Sequence, residues 1–333
     1  MTHDVNEVRA FILRQERFYI TGHINPDGDA IGACLGLGLA LEKIGKKVRV
    51  ILESFHSKYN VIPGNHLIYE YKGDMADTVG FEDHAIICVD CADLGRLPES
   101  ARSLVTNSEN TLCIDHHFSN TNFAKYNFID SNCSSTCEMI YRILDAFMDI
   151  DTHIASAIYA GMVCDTGAFR HAATSRDTLE VSGKLLNLNI PFTEIYTELI
   201  SLRTYTQVKL LARVIDACQR SDDAKIVYAC VPLTMMAGFG DTPDATTHDL
   251  ENVVEFLLNI RRAKVAVLIY ERPDGKSKLS LRSRKINVGA IAQKFGGGGH
   301  NLAAGATVDG SVYEIKDKVL PMIEKALSGV YSV

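Results

Sequence analysis

The hydrophobic and polar positions of this chain alternate between the period of a helix and the period of a strand from its first residues. Apolar residues at helical spacing over residues 5–15 predict a helix, and Arg17 to Thr21 predicts the first strand. A second helix is predicted over Ala30 to Ile44, ended by Gly45, and a second strand over Lys47 to Leu52. This order is a βαβ unit, whose strands should be parallel with a right-handed crossover.

The same pattern continues to about residue 188, and two of its strands end in a polar group. His84 to Val89 predicts a third strand that is followed by Asp90, and Thr111 to Ile114 predicts a fourth that is followed by Asp115. Further helices are predicted over Ser134 to Met148, Thr152 to Val163 and 177–188. The predicted fold class is therefore α/β, with a parallel sheet and helices on both of its faces.

The pattern changes in the last third of the chain. A Pro273-Asp274-Gly275 turn predicts that strands over Val265 to Glu271 and Lys278 to Arg284 pair antiparallel. The other predicted elements are helices over Tyr205 to Gln219, Asp244 to Leu258, Val288 to Phe295 and Ser311 to Leu327, and a strand over Ile226 to Val231. We expect one domain over 1–188, a partly helical connector over 189–204, and a smaller α+β domain with a mixed sheet over 205–333.

Composition and charge narrow the classes of function. The 333 residues are 47 % hydrophobic and 23 % charged, which is typical of a soluble globular protein. The chain lacks both a run of about 18 apolar residues and a signal-peptide pattern, so we expect no membrane span and no secretion. Nine cysteines, mostly in apolar surroundings, indicate reduced thiols and a cytoplasmic protein. The net charge of −7 argues against a large basic surface for long duplexes but permits a small anionic substrate.

The candidate chemistry begins in the segment Gly22-His23-Ile24-Asn25-Pro26-Asp27-Gly28-Asp29-Ala30. Imidazole and carboxylates in this spacing suit a divalent ion such as Mn²⁺, since oxygen-rich ligand sets favour Mg²⁺ or Mn²⁺ over zinc. Taken alone, the segment fits a helix N-terminus equally well, with Asp29 as the cap of a helix that starts at Ala30. Three other groups follow apolar elements in the same way: Asp90, Asp115-His116-His117 and Asp165. Because three of the four groups would share one edge of a parallel sheet, the set favours a metal site.

The ordered motifs resemble those of the DHH phosphoesterases. They are H-x-x-x-D-x-D, a lone aspartate after an apolar strand, D-H-H, and an aspartate at a D-T-G turn. The run Gly297-Gly298-Gly299-His300, with Arg282 and Arg284 upstream, is similar to the DHH-associated C-terminal domain. Within the family, the chain most resembles the bacterial bifunctional nanoRNase (oligoribonuclease)/pAp phosphatases. The resemblance covers nearly the whole chain and implies an active site in a cleft between two domains.

The resemblance implies a hydrolase of phosphoester bonds that uses two divalent ions, usually Mn²⁺, with Mg²⁺ or Co²⁺ as alternatives. A hydroxide activated by both ions would attack phosphorus, so that no protein nucleophile is needed. Four carboxylates against two divalent ions leave such a cluster near neutral. The implied ligands are His23 and Asp27 for one ion, Asp29, His116 and Asp165 for the other, and Asp90 as the bridge between them.

Further residues would act around this pair of ions. Asp115 would orient a ligand histidine, and His117 would contact the substrate phosphate or assist the leaving group. The remaining substrate-binding candidates are Arg96, Arg282, Arg284, Gly297, Gly298, Gly299 and His300. Glycine amides and arginine side chains are suited to holding a second phosphate. The alternatives are a flexible loop for the glycines, a solvated strand face for Arg282 and Arg284, and an ordinary surface position for Arg96.

The implied substrates are single-stranded RNAs of about two to five nucleotides, hydrolysed to mononucleotides, and 3′-phosphoadenosine 5′-phosphate (pAp), hydrolysed to AMP. Long duplexes and membranes are not expected as partners, and a homodimer is an open alternative to a monomer. Other activities on the same motifs are a phosphodiesterase for cyclic dinucleotides or their linear products pApA and pGpG, and a manganese pyrophosphatase or polyphosphatase. Two alternatives come from other classes of protein. A thiol or zinc protein is indicated only by Cys88-Val89-Asp90-Cys91 and Cys133 to Cys137. A nucleotide-binding module without catalytic activity would not need the complete set of metal ligands.

Overall fold

The computed structural model describes residues 4–70, 81–240, 244–250 and 252–329. The chain divides into two compact units, Met1–Leu202 and Arg203–Val333. The helices of the first unit are α1 (Val5–Arg14), α2 (Gly28–Lys43), α3 (Glu99–Thr106), α4 (Thr136–Asp145), α5 (Thr152–Asp165), α6 (Arg176–Leu186) and α7 (Phe192–Tyr196). Its strands are β1 (Arg17–Thr21), β2 (Lys47–Ile51), β3 (Ala85–Val89), β4 (Thr111–Asp115) and β5 (Tyr126–Ile129).

The sheet of the first unit is parallel throughout, in the order β2-β1-β3-β4-β5. This confirms the predicted βαβ unit and places the carboxyl ends of β1, β3 and β4 side by side. His23 and Asp90 follow β1 and β3, and Asp115 is the last residue of β4, so all three lie at the carboxyl ends of the strands. The edge strand β5 was not predicted, because its four residues are partly exposed and show no clear alternation of apolar and polar positions.

Helices cover both faces of this sheet, as predicted. Phe18 and Ile20 of β1 pack in the larger core with α1, α2, α4 and α5. Tyr19, between them, points into a second cluster on the opposite face, which includes Ala101 and Val105 of α3. Burial on both faces explains why β3 reads as a continuous apolar run rather than as an alternating pattern.

Helices α2 and α5 pack with their backbones in close contact. A Cβ atom on Gly32 would lie 2.6 Å from the carbonyl oxygen of Ala157 and 3.0 Å from the amide nitrogen of Gly161. The close neighbour of Gly32 is therefore helix α5. This contact sets the distance between Asp29, in the first turn of α2, and Asp165, the last residue of α5.

Residues 189–204, predicted as a partly helical connector, contain helical structure. Helix α7 is followed by a π-helical turn over Thr197–Ser201, and both belong to the first unit. Ile195 and Leu199 are buried in the larger core of that unit.

The second unit is built on a mixed sheet. Its helices are α8 (Tyr205–Ala217), α9 (Val253–Leu258), α10 (Val288–Gln293) and α11 (Val312–Leu327), and its strands are β6 (Gln219–Arg220), β7 (Ile226–Val231), β8 (Val265–Glu271), β9 (Lys276–Ser283), β10 (Gly298–His300) and β11 (Ala303–Asp309). The order is β10-β11-β9-β8-β7-β6, in which β7 and β8 are parallel and the other neighbours antiparallel. One face packs against α10 and α11, and the other against α8 and α9.

Three details of the second unit differ from the prediction. Gln219, expected at the end of a helix, begins the unpredicted strand β6. The helix expected over Asp244 to Leu258 is a 3₁₀ turn over Thr247–Leu250 followed by α9, with Asn252 in a left-handed conformation between them (φ 64°); residues 241–243 and 251 lie outside the described residues. The strand pair β10 and β11 was not predicted, because glycine and alanine supply little apolar alternation. Among the described residues we find no helix with the length and apolar composition that a bilayer span requires.

Candidate metal centre

The loop after β1 ends in a helix cap that differs from the expected one. Asp27, not Asp29, caps α2, since Asp27 Oδ1 accepts hydrogen bonds from the backbone N–H groups of Asp29 (3.0 Å) and Ala30 (3.1 Å). The helix accordingly begins at Gly28 rather than at Ala30. This shift leaves Asp29 inside the first turn, with its carboxylate directed into the protein.

Asp29 is buried, and the start of α4 binds its carboxylate. The backbone N–H groups of Thr136 and Cys137 donate to Asp29 Oδ2 (2.7 Å) and Oδ1 (3.0 Å). These amides belong to the first turn of a helix, where N–H groups have no partner within the helix and favour an anion. Burial, together with the nearby carboxylates of Asp90 and Asp165, raises the pKa of Asp29 well above its ordinary value. The two hydrogen bonds therefore hold the Asp29 side chain in place. Because its pKa is raised, the carboxyl group would ionise more readily with a cation close to it.

Asp90 lies at the centre of the site, immediately after β3. Its backbone is left-handed (φ 54°), a conformation uncommon for residues other than glycine, and its side chain is buried. The Thr136 hydroxyl donates to Asp90 Oδ1 at 3.1 Å. Asp90 Oδ2 is 3.6 Å from His23 Nε2, and Asp90 Oδ1 is 3.6 Å from His116 Nε2. One carboxylate thus faces two histidines with its two oxygens.

The structure brings the six predicted metal ligands together. Three groups each have ligand atoms within 4.8 Å of one another: His23, Asp27 and Asp90; Asp29, His116 and Asp165; and Asp90, His116 and His117. The first two groups contain the residues assigned above to the two ions, and Asp90 also belongs to the third group. These assignments remain predictions; the third group also contains His117, which was not among the predicted ligands.

The distances within these groups fit ligands around a shared cation better than direct hydrogen bonds. The histidine–carboxylate pairs are separated by 3.6 to 3.8 Å, beyond the roughly 3.2 Å limit of an ordinary N–H···O bond. Two ligand atoms that each lie about 2.1 Å from one ion are roughly 3.0 to 3.5 Å apart. Imidazole nitrogens and carboxylate oxygens at nearly this spacing are suited to divalent ions.

The electrostatics of the site point the same way. Burial alone would lower the pKa of His23, but Asp27 and Asp90 raise it to about 10. Burial would also lower the pKa of His116, and the carboxylates of Asp29, Asp165 and Asp90 raise it to about 9. Protons on these histidines partly neutralise four clustered carboxylates, and bound cations would replace those protons.

Asp115 holds a different histidine from the one expected. Its fully buried carboxylate accepts from His117 Nδ1 (2.7 Å) and from Asn120 Nδ2 (2.6 Å). The predicted ligand His116 has its Nδ1 3.3 Å from the backbone carbonyl of Cys133 instead. Burial would raise the pKa of Asp115, but the bonds from His117 and Asn120 lower it, so the carboxylate stays ionised. Asp115 therefore fixes the orientation of the histidine that was predicted to contact substrate.

The remaining candidates lie in different places. Arg96 is exposed and lies on a 3₁₀ turn. Its backbone carbonyl accepts a hydrogen bond from Ile24 N–H at 2.7 Å, which places Arg96 next to the loop that carries His23. In the second unit, Arg282 and Arg284 extend toward α9 on the same side of β9: Arg282 Nε is 3.5 Å from Glu255 Oε1, and Arg284 Nη2 donates to Asn259 Oδ1 at 3.2 Å.

The glycine run is a strand rather than the flexible loop that was its alternative interpretation. Gly298–His300 form β10, paired antiparallel with β11. A Cβ atom on Gly297 would lie 2.1 Å from the carbonyl oxygen of Gly305, and one on Gly299 would lie 2.5 Å from that of Ala303. These two glycines are thus required by close packing on β11. Gly298 is half-buried, and a Cβ atom there would meet open space, so packing does not require a glycine at this position.

Two residues that support the site were missed in the sequence. Thr136 contacts both Asp29 and Asp90. Glu138 is fully buried and accepts from the Ser134 backbone and hydroxyl, from the Thr178 hydroxyl and from Arg142. The segment Ser134-Ser135-Thr136-Cys137-Glu138 was interpreted only as a helix start, and Ser135 is indeed the cap of α4. The run of hydroxyl-bearing residues before Glu138 is the sequence signal that could have indicated that this segment also supports the site.

The cysteines give no support to a thiol or zinc site. Cys88 lies inside β3, and burial raises the pKa of its thiol well above the ordinary value. Burial likewise raises the pKa of Cys91 to about 12. A reactive cysteine needs a lowered pKa, because the thiolate is the active form, and none of the groups of candidate metal ligands found among the described residues contains a cysteine.

Comparison with known families matches both units. The family model described as "DHH family, N-terminal domain" matches residues 17–162, and the model described as "DHHA1 domain" matches residues 223–329. The first span contains five of the six predicted metal ligands, and the second contains Arg282, Arg284 and the glycine run.

Individual proteins resemble the chain over nearly its full length. The bifunctional oligoribonuclease and PAP phosphatase NrnA of Thermus thermophilus is 27 % identical over 318 residues, which cover 93 % of this chain and 90 % of the relative. The protein of the same name from Bacillus subtilis is 26 % identical over 311 residues, covering 91 % and 92 %. Among solved structures, an exopolyphosphatase-related protein from Bacteroides fragilis has a TM-score of 0.89 at 26 % identity and covers 97 % of each chain.

Proposed function

This chain carries the two domains of the DHH family, and from that premise we propose that it is a metal-dependent phosphoesterase that hydrolyses short oligoribonucleotides to mononucleotides and pAp to AMP. The observation that carries the proposal is the convergence of four carboxylates and three histidines at one sheet edge, with Asp90 shared between two of their groups. The NrnA relatives of Thermus and Bacillus, similar over about nine-tenths of the chain, support this choice of substrate.

The proposed ligands divide the work between two ions. His23 and Asp27 would hold one, Asp29, His116 and Asp165 would hold the other, and Asp90 would contribute to both. When bound, two divalent ions supply an activated water and positive charge for the phosphate oxygens. We propose Mn²⁺ as the natural ion, because the mixed oxygen and imidazole ligands suit Mn²⁺ and the relatives are phosphoesterases by name.

The residues of the chain perform the remaining steps. Asp115 holds the Nδ1 side of His117, which fixes the ring so that it can donate to a substrate phosphate or to the leaving oxygen. Arg96, next to the His23 loop, adds a positive charge for the same phosphate. Arg282, Arg284, Gly298 and His300 are proposed to bind a second phosphate, with Gly297 and Gly299 allowing their strand to pack closely on β11.

Two phosphates one nucleotide apart would then define the substrate class. Such a requirement favours dinucleotides and pAp, and it excludes long duplexes, since an acidic chain contacts few phosphates at once. The chain is proposed to act on free nucleotides in the cytoplasm. The oligomeric state is tested separately by light scattering at micromolar concentration, where 36.7 kDa would indicate a monomer and twice that mass a homodimer.

A panel of substrates in Mn²⁺ tests the proposal. It contains a 5′-phosphorylated RNA dinucleotide, a 24-mer RNA, pAp, pApA, pyrophosphate and tripolyphosphate. Release of mononucleotides from the dinucleotide and of phosphate from pAp, with the 24-mer and the inorganic phosphates nearly untouched, is the expected result. Loss of all turnover with EDTA, restored by Mn²⁺, is the control for metal dependence. A best substrate among the long or inorganic members would refute the proposed substrate class.

A polyphosphatase is the second candidate. The observation in its favour is the 0.89 TM-score with the exopolyphosphatase-related protein of Bacteroides fragilis. It needs the same metal ligands but no contact with a base or ribose. Tripolyphosphate hydrolysed faster than the dinucleotide would favour it.

A further inference from the structure

Phe118, the residue after the Asp115-His116-His117 motif, has an unusual position for an aromatic side chain. It is 92 % exposed, whereas no other large apolar side chain among the described residues exceeds 62 %. Its neighbour in the chain, His117, faces Asp90 at 3.6 Å. The most exposed aromatic ring of the described residues is therefore adjacent in the chain to the candidate metal centre.

The segment that carries Phe118 is held in a fixed conformation. Asn120 N–H donates to the His117 carbonyl at 3.1 Å, so that Phe118 occupies the first corner of a turn. Both sides of this turn are bound to one buried carboxylate, because Asp115 accepts from His117 Nδ1 and from Asn120 Nδ2. Asn120 Nδ2 also donates to the Cys91 carbonyl at 3.1 Å, and Thr121 N–H donates to the Ala92 carbonyl at 2.9 Å.

These contacts explain how the ring can remain outside the core without being loose. The turn is tied to the loop after β3, which also carries Asp90, and to the end of β4. A ring presented on such a support loses little conformational freedom when it binds a flat partner. The hydrogen bonds to the Asp115 carboxylate thus orient His117 and also fix the turn that carries Phe118.

We propose that Phe118 stacks on the base of the nucleotide whose phosphate lies at the metal centre; this inference rests on the proposed function. Consecutive Cα atoms are about 3.8 Å apart, so a substrate held by His117 brings its base, one ribose away, within the range of the next side chain. Aromatic side chains bind bases of any sequence by stacking, since every base has a π face. The ring therefore selects nucleotides over inorganic phosphates without selecting among the bases.

Four variants separate stacking from other effects. Phe118→Ala removes the ring, Phe118→Leu keeps apolar volume without it, and Phe118→Trp retains an aromatic face. Phe192→Ala is the matched control, because Phe192 is a half-exposed phenylalanine on α7 of the same unit. Each variant is assayed in Mn²⁺ on a 5′-phosphorylated RNA dinucleotide and on the same dinucleotide with its 5′ nucleotide made abasic, and again with the 3′ nucleotide made abasic.

We expect Phe118→Ala to raise KM for the dinucleotide about 5- to 150-fold, the range of one base–aromatic stack, with kcat within about twofold. Phe118→Trp should restore the KM, Phe118→Leu should restore little of it, and Phe192→Ala should change nothing. On one of the abasic substrates the wild type and Phe118→Ala should have equal KM values, which identifies the stacked base.

The outcomes distinguish this inference from the function on which it rests. A wild type that hydrolyses neither the dinucleotide nor pAp refutes the proposed function and this inference with it. A wild type that hydrolyses them, together with an unchanged KM in Phe118→Ala, overturns the stacking inference alone. So does an equal loss on the intact and both abasic dinucleotides, because it would mean that the ring only supports the turn.

Discussion

Removal of the Thr136 hydroxyl isolates the support of Asp90 from the metal ligands themselves. Thr136→Val keeps the shape of the side chain and the backbone N–H that donates to Asp29 Oδ2, and it deletes only the 3.1 Å bond to Asp90 Oδ1. We expect Mn²⁺ affinity to fall because Asp90, a member of two of the three ligand groups, loses its only hydroxyl donor among the hydrogen bonds found in the described residues.

The magnitude follows from two independent ranges. A hydrogen bond to a charged group contributes about 1.5 to 3 kcal/mol. Loss of a residue that orients a metal ligand typically costs about 10- to 100-fold in metal affinity, which is about 1.4 to 2.8 kcal/mol. The two ranges agree, so we expect a Kd for Mn²⁺ that is raised 10- to 100-fold, with kcat at saturating Mn²⁺ reduced much less.

Isothermal titration of the metal-free protein with Mn²⁺ measures this effect. Thr136→Ser retains the hydroxyl and should bind Mn²⁺ within about threefold of the wild type. Thr152→Val is the matched control, since the Thr152 hydroxyl on α5 donates to the Leu188 carbonyl at 2.9 Å and does not contact the candidate ligands. A Thr136→Val protein that folds and binds Mn²⁺ as tightly as the wild type would refute the support assigned to Thr136.

Three other predictions concern the ligands, their protons and the second unit. Asp90→Asn should abolish turnover on every substrate, because Asp90 is proposed to bind both ions. The protein should still fold, because asparagine tolerates the left-handed backbone at this position. Turnover recovered at saturating Mn²⁺ would contradict a ligand shared by both ions. Binding of Mn²⁺ should release at least two protons at pH 7. The pKa values of His23 and His116 are raised to about 10 and about 9, the pKa of Asp29 is also raised, and all three groups must be deprotonated to bind. Affinity should therefore rise with pH until about 9 to 10, and calorimetry in two buffers of different ionisation enthalpy counts the protons; a flat profile between pH 6 and 9 is the contrary result. His300→Ala should leave hydrolysis of a small artificial phosphoester intact and weaken that of dinucleotides, as measured by the ratio of kcat/KM values; equal losses would place His300 in the chemistry or the fold.

The sequence predicted those elements of the fold whose apolar and polar positions follow a strong pattern. The strands that carry the site are buried on both sides and end in carboxylates, so that their positions and their shared edge followed from apolar runs and the βαβ rule. Strands β5, β10 and β11 escaped because a partly exposed edge and segments rich in glycine and alanine lack that pattern. They are held by pairing: β5 with β4, β10 with β11, and β11 with β9.

The sequence predicted which side chains converge but not the residues that support them. Histidines and aspartates after apolar elements indicated the cluster, and the structure groups them. The partner of Asp115 could not be read from spacing, because His116 and His117 are both near enough, and only the fold directs His117 toward it. Similarly, the cap at Asp27 rather than Asp29 depends on which carboxylate α4 binds.

The close packing of α2 on α5 has a consequence for how the chain tolerates mutation. A methyl group on Gly32 would collide with the backbone of α5, and one on Gly161 would lie 2.2 Å from Cys137 Sγ and 3.0 Å from Asp29 Oδ1. A scan of all substitutions, scored for activity, should therefore show intolerance at these glycines as severe as that at the metal ligands. Two positions without any chemical group of their own would then be as restricted during evolution as the residues that bind the ions.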